Sequence, residues 1–389
     1  MPFKAQEVAE VTIQGKRFRD WESVIVRMEE GSVPNSFKLT VSEGAPLSKS
    51  FAALQIKPGD RCTVTLAGEM AITGYVETRQ VAYTAEQHGI EIVGHSKNKA
   101  AVDASVMHKT MEFKDKSFMK IATDLLKPLG LTISAKTAIS EKPFPRVNIA
   151  HGTSVHEQIE TMARLRGVTL GTDLQGNYTA RTSFEQGGDK LEEGKNILEG
   201  RETLTMSMSG GGSGNYNYGQ QPGSNEKFGA KVAHDPQGKS TNSNKGLGPG
   251  LHAPNTSVVN MPGDKIDAKT NADMEGDRRD YEKFEVTIVV QGWLKPSGGL
   301  WKPGEMVHVK SPMLIVDEKL KLMKADFTQD NKSGTRTTLL LTKDTGDGSK
   351  YNYDPNTKTT GADPKTGAPP ATPVGDTGAP GARPPSLGE

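Results

Sequence analysis

The first hundred residues alternate apolar and polar side chains in short runs. SVIVRM (23–28), SFKLTVS (36–42), RCTVTLA (61–67), ITGYVET (72–78) and IEIVGHS (90–96) are rich in Val, Ile, Thr and Tyr, and turn signals such as KPGD divide them. That rhythm predicts strands of an all-β sandwich or barrel. The same period returns near the other end. In KFEVTIVVQGW (283–293) Phe284, Val286, Ile288 and Val290 alternate strictly, so one face is buried. EMVHVKS (305–311), MLIVDE (313–318), KLKLMKADF (319–327) and TRTTLLLT (335–342) follow as further strands.

Between these regions the period lengthens. In DKSFMKIATDLLKPLG (115–130) Phe118, Ala122, Leu125, Leu126 and Leu129 recur at helical spacing, and Pro128 and Gly130 end the run. SVHEQIETMARLRG (154–167) predicts a second helix. Ser154 and Glu157 form a capping box, Val155, Ile159 and Met162 share a face, and Gly167 sits at the stop. VTLGTDLQGNYTAR (168–181) reads as a hairpin.

The fold class is therefore mainly β with an α+β insert: two related β-barrel domains, a small helix-hairpin domain and an extended tail. The expected domains are an N-terminal β-barrel over 1–100, a small α+β domain over 101–200, a Gly/Asn-rich loop and connecting segment over 201–275, and a C-terminal β-barrel over 276–344. A Pro/Gly-rich extended tail over 345–389 follows. The tail holds eight prolines in 45 residues and three near copies of one unit, TGADP, TGAPP and TGAPG. It is too poor in large apolar side chains to form a core. Tyr351 and Tyr353 are expected to anchor its start on neighbouring subunits, since aromatic side chains supply contact area at low entropic cost.

The barrels are read as related because KPGDRCTVT (57–65) and KPGEMVHVK (302–310) match. Each opens with Lys-Pro-Gly-acid, in which Pro presets φ and Gly permits the positive φ that follows. Each continues into a strand whose apolar positions coincide, Cys62 and Val64 against Val307 and Val309. Two of the chain's three tryptophans, Trp293 and Trp301, flank the loop before the second copy. They either anchor an interface, as large aromatics do, or close the end of the C-terminal barrel.

Composition narrows the reading. A length of 389 residues suggests two to four domains, and a hydrophobic share of 34% implies segments that do not pack. A net charge of +1 gives no reason to expect nucleic-acid specificity. The lone Cys62 rules out an intrachain disulfide and fits folding in a reducing compartment. The N-terminus lacks an apolar signal core, and no apolar run reaches bilayer length, so no stable membrane insertion is expected. The N-x-[ST] matches at Asn177, Asn255 and Asn331 then carry no meaning for glycosylation.

The motifs that resemble chemistry are incomplete. HEQIE (156–160) puts Glu160 where a zinc-protease motif needs its second histidine. His151, His156 and Glu160 are accordingly not expected to hold a metal. SFMK (117–120) lacks the partner motifs of Ser-x-x-Lys chemistry. GKST (238–241) lacks the upstream glycine of a phosphate loop. Cys62 sits at an apolar strand position and reads as inert core. No catalytic residue, cofactor or metal is assigned, and the chain is expected not to be an enzyme.

Longer stretches carry a resemblance. GYVETRQVAYTAEQHGIEIVGHSKNKAAVDAS (74–105), FMKIATDLLKPLGLTI (118–133), SVHEQIETMARLRGVTLGTDLQGNY (154–178), LEEGKNILEG (191–200) and GWLKPSGGLWKPGEMVHVKSPMLIVDE (292–318) together resemble the Mu-like baseplate hub, or tail protein, family of contractile-tailed bacteriophages. The last two are the most specific. His95 stands where that family usually has arginine, and Ala100–Ala101 replace its acidic-apolar step.

The resemblance implies a structural protein of the virion, placed in the tail baseplate and assembled in the bacterial host cytoplasm. It implies a homotrimer joining the sixfold tail tube to the threefold central spike. The implied partners are the spike, the tail tube or a tube-initiator protein, the tape-measure protein and baseplate wedge proteins. The alternative is a tail-associated cell-wall hydrolase or glycan-binding module, against which stands the lack of any long, well-patterned inserted segment. A spike protein of a contractile secretion system would need β-needle repeats, which are missing.

Overall fold

The computed structural model describes residues 7–19, 21–43, 56–83, 88–204 and 284–343. Between these last two it describes 214–219, 225, 228–229, 232, 237–240, 254–259 and 265–281. Tyr351, Tyr353 and the tail expected over 345–389 lie outside the described residues.

The N-terminal half is built from β1 (Ala9–Ile13), β2 (Lys16–Phe18), β3 (Ser23–Glu29), β4 (Ser36–Glu43), β5 (Arg61–Leu66), β6 (Glu69–Tyr83) and β7 (His88–Ser96). Alternation decides which face is covered: Val24, Val26 and Met28 of β3 and Cys62, Val64 and Leu66 of β5 all point inward. Ala67 and Gly68, at φ +52° and +83°, turn β5 tightly into β6, the sign of φ that matches strand twist in a two-residue hairpin.

The insert comprises α1 (Lys99–Asp103), β8 (Glu112–Lys116), α2 (Phe118–Leu126), β9 (Ile133–Ala135), β10 (Phe144–Asn148), α3 (Val155–Leu165), β11 (Thr169–Thr172) and β12 (Tyr178–Arg181). Ser154 Oγ accepts from Glu157 N at 3.1 Å, which starts α3. Gly130 ends the α2 region in the left-handed conformation. The expected hairpin is β11–β12, and β9 adds a parallel neighbour that the apolar pattern did not signal. Phe118, Ile121, Phe144, Ile159, Met162 and Tyr178 fill a core separate from that of the large sheet.

Next come β13 (Glu185–Glu192), β14 (Glu199–Leu204), β15 (Gly214–Gly219), β16 (Gln237–Ser240), β17 (Pro254–Val259) and α4 (Lys265–Tyr281). The segment expected as loop over 201–275 thus contains regular structure. β15 lies between β16 and β17, and α4 packs on β16 and β15. The pattern hid α4 because its buried side chains are small or charged: Asp267 is buried against Arg166. Ala268 and Ala272, one turn apart, are buried, while Lys269 and Asp273 pair outside at 2.7 Å. Gly238 permits the approach, since a Cβ there would lie 2.1 Å from the Ala268 backbone.

The chain closes with β18 (Phe284–Gln291), β19 (Glu305–Ser311), β20 (Val316–Asp330) and β21 (Gly334–Lys343). Met313–Ile315, expected as the start of a strand, forms a turn instead. Pro312 opens it, Ser311 Oγ accepts from Leu314 N at 3.2 Å, and the Glu193 carboxylate accepts from Met313 N at 3.0 Å. Both β regions belong to one 13-stranded sheet, ordered β14-β18-β21-β20-β3-β4-β7-β6-β5-β1-β2, with β19 on β20 and β13 on β19. They share one apolar core.

Candidate assembly interface

The sheet contains the same five-strand unit twice. In the N-terminal half β3, β4, β7, β6 and β5 lie side by side; in the C-terminal half β14, β18, β21, β20 and β19 do so in the same chain order. The Lys-Pro-Gly turns occupy equivalent places. Gly59, at φ +91°, donates from N to Val76 O at 2.8 Å; Gly304, at φ +94°, donates to Leu322 O at 2.9 Å. Val76 and Leu322 then mark the same point on β6 and β20, each 15 residues long. Immediately beyond it each strand shifts register, between Val76 and Thr78 and between Leu322 and Lys324. The units differ outside β5 and β19. There β1 is antiparallel to β5, and β13 is parallel to β19.

One ladder joins the two units. β20 pairs antiparallel with β3, from Lys324 opposite Glu29 to Gln329 opposite Val24. On the inner face Val24, Val26, Ala325 and Phe327 are fully buried. On the outer face Arg27 lies 3.8 Å from Asp326. Burial of this apolar face, at about 25 cal/mol per Å², makes the junction part of the core.

A buried ion pair ties the insert to both units. Glu30 follows β3, and its N donates to Met323 O at 2.8 Å. Its carboxylate lies 2.9 Å from Arg181 Nε, at the end of β12. Arg181 Nη1 donates to Gly304 O at 2.8 Å in the second Lys-Pro-Gly turn. Burial pushes the Glu30 carboxyl up to about 7, against the downward pull of Arg181. Glu30 and Arg181 line a polar cavity of about 250 Å³ with Asn35, Thr179 and Glu305.

The structure places both indoles of the 292–301 loop inside the chain, with Trp293 0% and Trp301 1% exposed. They close the end of the second unit's core and offer no surface to a partner. Trp293 Nε1 donates to Thr328 O at 3.2 Å; Trp301 Nε1 is buried without a hydrogen-bond acceptor among the described residues. Gly298 and Gly299, at φ +95° and +74°, bend the loop between them. Asp189 of β13 holds its tip, accepting from Ser297 N at 3.1 Å and from Ser297 Oγ at 2.8 Å.

The side chains singled out for chemistry are not brought together into one site. His156 Nδ1 is 3.1 Å from Tyr178 Oη, its Nε2 is 3.8 Å from Glu160, and burial holds the imidazole below its usual range. His151 is exposed in the turn before α3. Ser117 stands at the N-cap position of α2 without a side-chain cap bond, and Lys120 is exposed on that helix. Burial, then nearby Asp60, pushes the Cys62 thiol up to about 12, which makes it a poor nucleophile. Exposed large apolar side chains stand elsewhere, among them Val81 and Tyr83 on β6, Leu204 on β14, and Met313 and Ile315 in the β19–β20 turn. Single-sequence reading missed these positions, because the pattern marks a strand without marking which edge lacks a neighbour.

Three family models match consecutive parts of the chain. Residues 8–96 match the Mu phage baseplate assembly protein GpP-like N-terminal domain. Residues 100–179 match the second domain of gp44-like baseplate hub proteins, and residues 279–346 match a tail protein C-terminal domain. Together they account for more than half of the chain. The baseplate hub protein gp44 of Escherichia phage Mu is 24% identical over 331 residues, covering 84% of this chain and 85% of its own. The 43 kDa tail protein of prophage MuSo2 from Shewanella oneidensis has a similar crystal structure, with a TM-score of 0.74, 24% identity, and coverage of 87% of this chain and 98% of its own. The tail protein from Neisseria meningitidis MC58 gives a TM-score of 0.71 at 19% identity, covering 87% and 96%.

Proposed function

The chain belongs to the Mu-like phage baseplate hub family, and from that premise we propose that three copies form the hub that joins a sixfold tail tube to a threefold central spike in a contractile tail. The protein is a structural tail component of the virion. The observation that carries the proposal is the five-strand repeat. One chain presents two near-equivalent units, so three chains present six, and a threefold object gains a face that a sixfold ring can match. The tube or its initiator, the spike, the tape-measure protein and the wedge proteins are the partners this reading assigns. Assembly takes place in the host cytoplasm.

Rotational averaging of tail tips imaged by electron microscopy tests the proposal. The expected result is threefold density for this chain with six similar lobes around the axis. A single copy on the axis, or six copies, overturns it. The reading includes no catalytic role; a clearing band on a peptidoglycan zymogram would overturn that part and favour a cell-wall hydrolase.

A further inference from the structure

β20 has two neighbours along one edge. β19 covers Val316–Lys321 and β3 covers Lys324–Gln329. Its counterpart β6 is covered by β5 over Glu69–Tyr75. Among the described residues no ladder covers Thr78–Tyr83 on that edge. At the far end of the sheet β14, the counterpart of β3, pairs among the described residues with β18 alone. Among the described residues two strand edges thus lack a neighbour where their repeat mates have each other. Both strands carry an exposed apolar side chain: Val81 is 48% and Leu204 69% exposed. An uncovered edge of this kind is a template for another strand.

We propose that a second copy of this chain supplies the neighbour. β14 of one copy lies antiparallel to the far half of β6 in the next, in the register that β3 takes on β20. This deepens the hub reading and rests on it.

The repeat sets the register. Five residues beyond Val76 is Val81, and five beyond Leu322 is Phe327, which faces Val26. Val26 pairs with Phe37, and Phe37 with Gly94; Glu202 pairs with Val286, and Val286 with Leu341. Gly94 and Leu341 are the partners of Val76 and Leu322. Glu202 therefore holds the place of Val26, and Val81 faces Glu202 across the new ladder. Arg79, whose Nη1 donates to Ile56 O at 3.0 Å within its own chain, then faces Leu204 and lies on the same sheet face as Glu202. Each copy uses β14 toward one neighbour and β6 toward the other. The contact is head-to-tail and propagates until it closes into a ring.

Cysteine pairing tests the register in the full chain, whose sole native thiol is buried. V81C/E202C should oxidise to linked dimers and trimers, whereas A82C/E202C, on opposite sheet faces, should not. Independently, V81E sets like charges against each other on an exposed position. It should weaken association roughly fivefold, about 1 kcal/mol, with unchanged circular dichroism, and E202K added to it should restore association. If wild type forms trimers by sedimentation while V81C/E202C stays unlinked and V81E has no effect, the edge pairing is wrong and the hub reading stands. Cross-linking of A82C/E202C in place of V81C/E202C overturns the register. A wild-type chain that is monomeric at every soluble concentration, with no cross-link, overturns both.

Discussion

The Glu30 carboxylate lies 2.9 Å from Arg181 Nε, with both side chains buried where the insert meets the two strand units. The carboxyl's ordinary value is 4.5, and in the folded chain it is pushed up to about 7. Between those values the folded state holds a proton that the unfolded state has released. This group's contribution to stability is therefore greatest below 4.5 and falls as pH rises toward about 7. Thermal melts across that window should show Tm falling with pH, and Glu30→Gln should flatten that part of the profile. Glu30→Ala leaves Arg181 buried without its carboxylate and should cost about 3–5 kcal/mol at neutral pH. Parallel profiles for wild type and Glu30→Gln would show that the pair does not titrate in this range.

The equivalent turn glycines should respond unequally. A Cβ on Gly59 meets nothing within 4 Å, so Gly59→Ala carries only the left-handed backbone cost of roughly 1–2 kcal/mol. A Cβ on Gly304 would lie 2.1 Å from Arg181 Nη1. Gly304→Ala must displace the guanidinium and loosen its hold on Glu30. Urea titrations should rank Gly304→Ala clearly below Gly59→Ala in stability. Equal midpoints would mean that Arg181 swings aside freely.

The two indoles give a similar contrast. Trp293→Phe leaves the Thr328 carbonyl without its donor, whereas Trp301→Phe removes an N–H that has no acceptor among the described residues. Both lose comparable volume. Trp293→Phe should therefore be the more destabilising by about 1 kcal/mol, read from chemical denaturation followed by the remaining tryptophan fluorescence. The reverse order would place an acceptor at Trp301 Nε1.

Ser154→Ala removes the acceptor at the start of α3 and should lower stability by about 1 kcal/mol. Ser154→Asp should retain most of it, because a carboxylate also accepts at a helix N-terminus. A neutral Ser154→Ala would show that the cap bond is replaced by solvent.

Where burial follows side-chain size, the fold was legible in the sequence. Val24, Val26, Phe37 and Leu39, or Val286, Ile288 and Val290, announce their strands by alternation. Ser154 with Glu157 announces α3. The Lys-Pro-Gly turns exposed the duplication because both need a positive φ at the same step. The sequence did not reveal β13 and β14, EQGGDKLE and EGRETL, whose mostly polar side chains carry no apolar rhythm. They are strands because β19 and β18 offer them hydrogen bonds. Glu30 and Arg181 are far apart in sequence, and nothing local marks either as buried. For Trp293 and Trp301 the residue type allowed an interface or a core, and only the fold decided between them.

The β3–β20 ladder also has a mechanical consequence. Its strands lie antiparallel over six residue pairs, in the middle of the sheet. A force that slides one unit past the other along the strands loads those hydrogen bonds together, so none can give way before the rest. A force that peels the units apart across the strands opens them one after another. The chain is thus stiff to sliding and weaker to peeling at this seam.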